Sequence, residues 1–256
     1  RTPSATIERR QHLTKLVTKI FNDFEQRYGY RKITVELARQ GHDVSQYLVR
    51  RIMNDNDLVC CHPKKWRTTT DGDPTSKIVD RLQGNFAAEE PGQLFVGDIT
   101  YISTWAGWLY LATVIDLFNR EVVGYALASH MRVSLVTDAI DMAVVNGRVN
   151  AGAVFHSDRG SQYTSTQFEA HLSRNNMVGS MGRTGVCWDN AVAESFFATL
   201  KKELTNRTVY PTRRQATKAI IEYIELFYNR RRIHSKLGYT TPIETREAWH
   251  NRNQAA

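Results

Sequence analysis

Apolar positions recur at helical spacing from the start of the chain. Leu13, Leu16, Val17, Ile20, Phe21 and Phe24 fall on one face of the segment 7–28, which predicts a single amphipathic helix. After Tyr28-Gly29-Tyr30 the pattern predicts a short helix over 33–39 and a break at Gly41. A second short helix then runs over 45–53, with the Ser45 hydroxyl available as its cap. Two short helices joined through a glycine, the second carrying Arg50 and Arg51, have the layout of a helix-turn-helix. Such pairs are also common in proteins that never meet DNA. The stretch 61–92 has no apolar period; it opens with the basic run His62-Pro63-Lys64-Lys65-Trp66-Arg67 and reads as a linker.

Beyond the linker the period changes. Strand-like runs over 94–102, 108–118 and 121–128, separated by Ala106-Gly107 and Phe118-Asn119-Arg120, predict an antiparallel meander. A helix over 134–146 follows, then a short strand, Ala153-Val154-Phe155, that runs into His156-Ser157-Asp158. A helix over 166–174 and a strand over 177–181 come next. A long helix opens after Asp189-Asn190, and another spans 212–229. No internal repeat is visible. The order predicts an α/β mixed sheet flanked by helices, compatible with several folds, the ribonuclease-H-like fold among them. The expected domains are a helical helix-turn-helix-like unit over 1–60, the linker over 61–92, a sheet-and-helix core over 93–210 and a helical extension over 211–256.

Composition excludes several classes. With 41% hydrophobic and 23% charged residues, the 256-residue chain is neither low-complexity nor disordered in type. Its apolar run 107–115 is far short of the roughly 20 residues a membrane helix needs, so no membrane role is expected. Three cysteines make no disulfide framework, which points to a reducing compartment. Cys60-Cys61-His62 are adjacent rather than spaced as paired ligands, so zinc is not expected.

The net charge of +8 is unevenly spread. Residues 1–70 hold fourteen Lys and Arg against seven acids, residues 71–193 eight against thirteen, and residues 194–256 twelve against six. Basic ends suit a polyanion and an acidic centre suits cations, although solvated helical faces would give the same balance. Within that centre Asp98 lies in an apolar strand, where an acid is costly unless paired or bound to a cation. Asp158 ends a strand, and Glu194 falls in the first turns of a helix. Three acids from three elements could converge on a hard cation such as Mg²⁺. Each also has a bland reading: a strand-end residue bonded to a hydroxyl, a turn former, a favourable charge at a helix N-terminus. Asp116, in Val-Ile-Asp-Leu-Phe, rivals Asp98, and spacing does not separate them.

The strings His156-Ser157-Asp158-Arg159-Gly160-Ser161-Gln162-Tyr163 and Asp189-Asn190-Ala191-Val192-Ala193-Glu194-Ser195-Phe196 carry more information together. With Ser180-Met181, Tyr228-Asn229, Arg232 and His234, they strongly resemble the transposases of the IS3 family of bacterial insertion sequences, over nearly the whole chain. That family shares with retroviral integrases a ribonuclease-H-like core and a D,D(35)E signature. Thirty-five residues separate Asp158 from Glu194 here, and Asp98 sits in the matching Asp-Ile-Thr-Tyr context, so the resemblance selects Asp98 over Asp116. It also implies a basic residue seven positions after the Glu, which is Lys201; about two helical turns place the pair on one face, roughly 10 Å apart.

The resemblance implies a DDE transposase in which Asp98, Asp158 and Glu194 are catalytic and bind two Mg²⁺ ions, with Mn²⁺ able to substitute. It implies metal-dependent cleavage at DNA 3′ ends and strand transfer, in copy-out, paste-in transposition through a circular intermediate. The expected partners are double-stranded DNA, namely terminal inverted repeats and target, a further copy of the chain in at least a dimer on DNA, and an upstream-frame DNA-binding protein. The expected location is the bacterial cytoplasm, at the nucleoid. DNA contacts are expected from Lys201, Lys202, Arg50, Arg51, Lys64, Lys65, Arg67, Arg230, Arg231 and Arg232. Full transposases of the family carry a further N-terminal DNA-binding region and a coiled coil, so this chain is expected to be part of a longer parent. Two other readings remain: a ribonuclease-H-type nuclease that stops at hydrolysis, and a non-catalytic DNA-binding repressor.

Overall fold

The computed structural model describes residues 4–61, 81–82, 86–182 and 190–254. Lys64, Lys65, Arg67 and Asp189 lie outside them. The chain divides into two compact units, residues 1–64 and 65–256.

In the first unit α1 (Ala5–Asp23) buries Leu13, Val17, Ile20 and Phe21, the i, i+4, i+7, i+8 stripe of an amphipathic helix. It stops five residues short of the expected end. Glu25 and Gln26 both take left-handed backbone conformations, and the Gln26 N–H closes back on the Phe21 carbonyl at 2.8 Å. The turn brings Tyr28 back to stack on Phe24, ring centroids 4.1 Å apart, so aromatic packing overrides helical continuation. Helices α2 (Tyr30–Arg39) and α3 (Gln46–Asp55) bury Ile33 and Leu37, and Val49, Ile52 and Met53. Gly41, at φ +82°, turns the chain between them, and the Ser45 hydroxyl caps α3 by accepting from the Leu48 N–H at 3.3 Å. Arg50 and Arg51 are exposed on α3.

The second unit is built on a sheet of order β3-β2-β1-β4-β5. Strands β1 (Leu94–Thr104), β2 (Gly107–Asp116) and β3 (Val122–Ala128) form the expected meander, and β4 (Val154–Ser157) and β5 (Val178–Met181) add parallel to β1. One sheet face packs on α4 (Val133–Val145) and α5 (Thr166–Arg174) through Phe95, Val114, Leu135, Ile140, Phe155 and Phe168. Two glycines allow this close approach. A Cβ on Gly97 would stand 2.1 Å from the Phe155 ring, and one on Gly124 would stand 2.1 Å from the Ala139 carbonyl oxygen of α4.

Helices α6 (Ala191–Leu200) and α7 (Arg213–Glu222) contact β1 and β2 as well. Each ends in a π-helical turn, Lys201–Thr205 and Tyr223–Tyr228, a local widening that often marks functional or strained segments. A final helix, α8 (Pro242–Gln254), was not expected from periodicity. The C-terminal extension is clamped to the free edge of β3, where the Asn229 side-chain amide both donates to and accepts from the Val122 backbone at 3.0 Å. An open strand edge is thereby covered. No helix among the described residues is long and apolar enough to cross a membrane.

Candidate active site

The parallel register of β1 and β4 sets the first two acids side by side. The last paired residues are Val96 and His156; Asp98 and Asp158 each follow two positions later, Asp158 just past the end of β4. Strand β4 ends at Ser157, so the site lies at the carboxyl end of β4 and midway along β1, where β1 loses its parallel neighbour. Clefts for ligands in α/β sheets form at such places. Asp158 leaves the strand through a tight turn, its Oδ1 accepting from the Gly160 N–H at 3.0 Å. Asp98 Oδ1 accepts from the Ile99 N–H at 2.7 Å.

The third acid comes from α6. Asn190, at its N-cap, sends its side-chain N–H to the Gly97 carbonyl at 3.5 Å, and Glu194 lies one turn later, exposed, with its own N–H on the Asn190 carbonyl. Asn190 thus ties the start of the helix to the residue before Asp98.

Electrostatics record the convergence. Burial, then the Asp158 carboxylate, push the Asp98 pKa from its usual 3.8 up to about 7; Glu194 pushes the same way, while the Ile99 N–H and the Lys201 charge pull it down. Lys201 is half-buried, its Nζ is 5.1 Å from the centroid of the Tyr101 ring, and burial lowers its pKa against the pull of Asp98. Tyr163 is buried, with the Asp98 and Asp158 charges reinforcing burial in raising its phenol. Its hydroxyl has no hydrogen-bond partner among the described residues.

Asp116 is occupied elsewhere. Its carboxylate accepts from the Gly92 N–H at 2.7 Å and the Phe118 N–H at 2.8 Å, fixing the β2–β3 turn. Burial still raises its pKa to about 6.

The second unit matches two family models described as integrase core domain, over residues 88–187 and 176–242, and the first matches an HTH-like domain model over residues 8–66. The chain is 37% identical over 249 residues to the transposase InsF for insertion sequence IS3A of Escherichia coli (strain K12), covering 96% of this chain and 84% of that protein. It belongs to the IS3-family transposases. It is also 36% identical over 251 residues to the transposase for insertion sequence element IS629 of Shigella sonnei, covering 96% of this chain and 83% of that one. Among solved structures, the simian T-cell lymphotropic virus intasome in complex with PP2A regulatory subunit B56 gamma superposes with TM-score 0.50 at 14% identity, over 90% of this chain and 74% of that chain. The HTLV-2 integrase catalytic core domain in complex with magnesium, in its trimeric form, gives TM-score 0.50 at 14% identity over 62% of this chain and 99% of that chain. The transposase therefore has a ribonuclease-H-like core, an N-terminal helix-turn-helix-like domain and a helical C-terminus, and it is a DDE polynucleotidyl transferase.

The remaining expected contact residues separate into groups. Arg50, Arg51, Arg230 and Arg231 of the transposase are exposed, and Lys202 is half-buried. Arg232 turns inward. Its side chain is 14% exposed and its guanidinium grips Glu203, 3% exposed, through Nε at 3.0 Å and Nη2 at 2.8 Å. Burial works against that charge, but the Glu203 carboxylate outweighs it and holds the Arg232 pKa above its usual value. The Tyr223 hydroxyl donates to the same carboxylate at 2.8 Å. The sequence gives Tyr163 no separate role and offers Asn190 as a side-chain cap of the long helix; Asn190 stands at the N-cap, but its side chain makes no cap hydrogen bond and reaches Gly97 instead. Both lie inside the motif strings, but only the fold shows what they touch.

The donor set suits a hard divalent cation, being three carboxylates without thiol or imidazole, two of them half-buried and one exposed. Among the described residues no three such side chains already stand at mutual ligating distance.

Proposed function

We propose that this chain cuts DNA at the 3′ ends of its insertion sequence and joins those ends to new DNA, with Asp98, Asp158 and Glu194 holding two Mg²⁺ ions. The observation that carries the reading is the Asp98–Asp158 pair set by the β1–β4 register, within electrostatic reach of Glu194 and Lys201. Bound metal would supply Lewis-acid stabilisation of the charge that develops at phosphorus. In cleavage, a water oxygen bonds to phosphorus and the bond to the 3′ oxygen breaks, leaving a 3′-hydroxyl. In joining, that hydroxyl forms a bond to a second phosphorus as another 3′ oxygen leaves. One phosphodiester is exchanged for another, so no nucleotide cofactor is needed.

Lys201 holds the phosphate beside the reacting one, at the edge of the acidic cleft. Arg50 and Arg51 on α3, together with Lys64, Lys65, Arg67, Lys202, Arg230 and Arg231, bind the phosphates of terminal repeats and target. A DNA end must be presented to another end, so at least two copies act together, with an upstream-frame DNA-binding protein as a further partner, in the bacterial cytoplasm at the nucleoid. The route is copy-out, paste-in through a circle.

A labelled terminal-repeat duplex incubated with the chain and Mg²⁺ tests the reading. Joined product that disappears in Asp158→Asn is expected. Cut fragments with no joined product would leave a nuclease. Binding without either product, unchanged by Asp158→Asn, would leave a repressor.

A further inference from the structure

The tip of the β1–β2 hairpin exposes aromatic rings that the fold does not use. Trp105 is 77% exposed, Trp108 50% and Tyr101 48%. Tyr101 and Trp108 meet in one patch, and Trp105 lies at the turn that joins their strands. Trp108 pairs with Ser103, so it sits diagonal to Tyr101 across the ladder, and the two rings meet edge to face with centroids 5.1 Å apart. Large apolar rings gathered on a surface mark contact sites more often than chance decoration.

The patch is held still. The Trp105 N–H donates to the Tyr210 carbonyl at 3.0 Å, the Thr104 hydroxyl to the Gly107 carbonyl at 2.6 Å, and Arg213 Nε to the Trp108 carbonyl at 2.9 Å. Gly107, at φ +99°, makes room for the Arg213 guanidinium, which a Cβ there would meet at 2.7 Å. A fixed turn presents the rings without the entropy cost of ordering a loop on binding.

Two cations border the rings, Arg213 at the hairpin tip and Lys201 over Tyr101. Lys201 lies over the Tyr101 ring and also acts electrostatically on Asp98, so one cation is shared by the rings and the candidate acids. Aromatic faces interleaved with Lys and Arg are the chemistry that binds unpaired nucleotides: bases stack on rings while the cations follow the phosphates. We propose that Tyr101, Trp105 and Trp108, with Lys201 and Arg213, bind a short single-stranded stretch of DNA leading into the carboxylates. The proposal rests on the DNA-end reading above and adds to it that the end is opened, with bases stacked on the two indoles.

The test uses the full chain in EDTA, so that binding is read without reaction. A labelled oligothymidylate of about twelve nucleotides and a blunt duplex serve as probes, read by fluorescence anisotropy. The double variant Trp105→Ala/Trp108→Ala is expected to weaken oligothymidylate binding about ten- to a hundredfold, the scale of one or two lost stacking contacts, with blunt-duplex affinity and melting temperature little changed. Trp105→Phe/Trp108→Phe should keep most of the affinity, because a ring remains to stack on. An unchanged affinity in the alanine variant would overturn the proposal. So would a variant that dissociates into monomers while still binding the oligothymidylate, since the face would then hold a second copy of the chain. Failure of the reaction reading is distinguishable: a chain that never joins DNA yet loses oligothymidylate binding in the alanine variant keeps the surface and loses the transposition chemistry.

Discussion

Asp98 is destabilising to the metal-free fold as long as it is charged, and the sign can be worked out. Its pKa is about 7 when folded against its usual 3.8, so between those values the native state holds a proton that the unfolded chain has released. Stability therefore falls as pH rises from about 4 to about 7 and levels off above. Asp98→Asn removes this slope. We expect its melting temperature in EDTA at pH 8 to exceed the parent's by several degrees, with the difference gone near pH 4, as thermal denaturation at both pH values would show. Asp116 contributes a slope of the same sign in both proteins and cancels in the comparison. The same variant should lose about a thousandfold or more in end cleavage, the equivalent of several kcal/mol of transition-state stabilisation. Added Mg²⁺ should raise the parent's melting temperature at pH 8 and leave that of Asp98→Asn nearly unmoved, since only ligand held by the native state stabilises it. Equal shifts in both proteins would place the ion elsewhere. The choice between Asp98 and Asp116 was not legible from their strand contexts, which are alike. What separates them is the Gly92 N–H, brought to Asp116 from 24 positions away by the fold.

Elements with a clear apolar stripe were legible, and those held by polar contacts were not. Helix α8 buries only Pro242 among its residues, so it carries no hydrophobic period. Its signal lies at its start. In Thr241-Pro242-Ile243-Glu244 the Thr241 hydroxyl accepts from the Glu244 N–H at 3.1 Å and the Glu244 carboxylate accepts from the Thr241 N–H at 2.8 Å, a capping box with proline at the first helical position. The extension is then pinned by Arg246 on Glu121 at 2.8 Å and by the Asn119 amide on the Pro242 carbonyl at 3.1 Å. Arg230, Arg231 and Arg232 look alike in sequence, yet the π-helical turns at the ends of α6 and α7 carry Glu203 and Tyr223, which hold the third of them inside. Arg232→Ala would leave the Glu203 carboxylate buried and uncompensated, a loss of about 3–5 kcal/mol by denaturant unfolding. Arg231→Ala, on the exposed side, should stay within about 0.5 kcal/mol of the parent. In Arg232→Ala/Glu203→Gln part of the loss should return. A stable Arg232→Ala protein would mean that the pair carries little of the extension's hold.

At the scale of the whole chain, the proposed function assigns DNA holding to the basic ends and the reaction to the acidic centre. Arg50 and Arg51 in one unit and Arg230 and Arg231 in the other stand exposed. Each phosphate neutralised releases condensed counterions, so the logarithm of affinity should fall linearly with the logarithm of salt, by about 0.9 per contact. A terminal-repeat duplex titrated over a salt series checks this. Arg50→Ala/Arg51→Ala and Arg230→Ala/Arg231→Ala should each flatten the slope by close to two contacts' worth, because the two units would engage the same duplex. A change in only one of these pairs would assign duplex binding to one unit. At salt concentrations where the protein stays folded, Arg232→Lys should leave the slope as it was, since its charge faces Glu203 and no phosphate. A flattened slope there would show that the buried arginine turns outward when DNA binds.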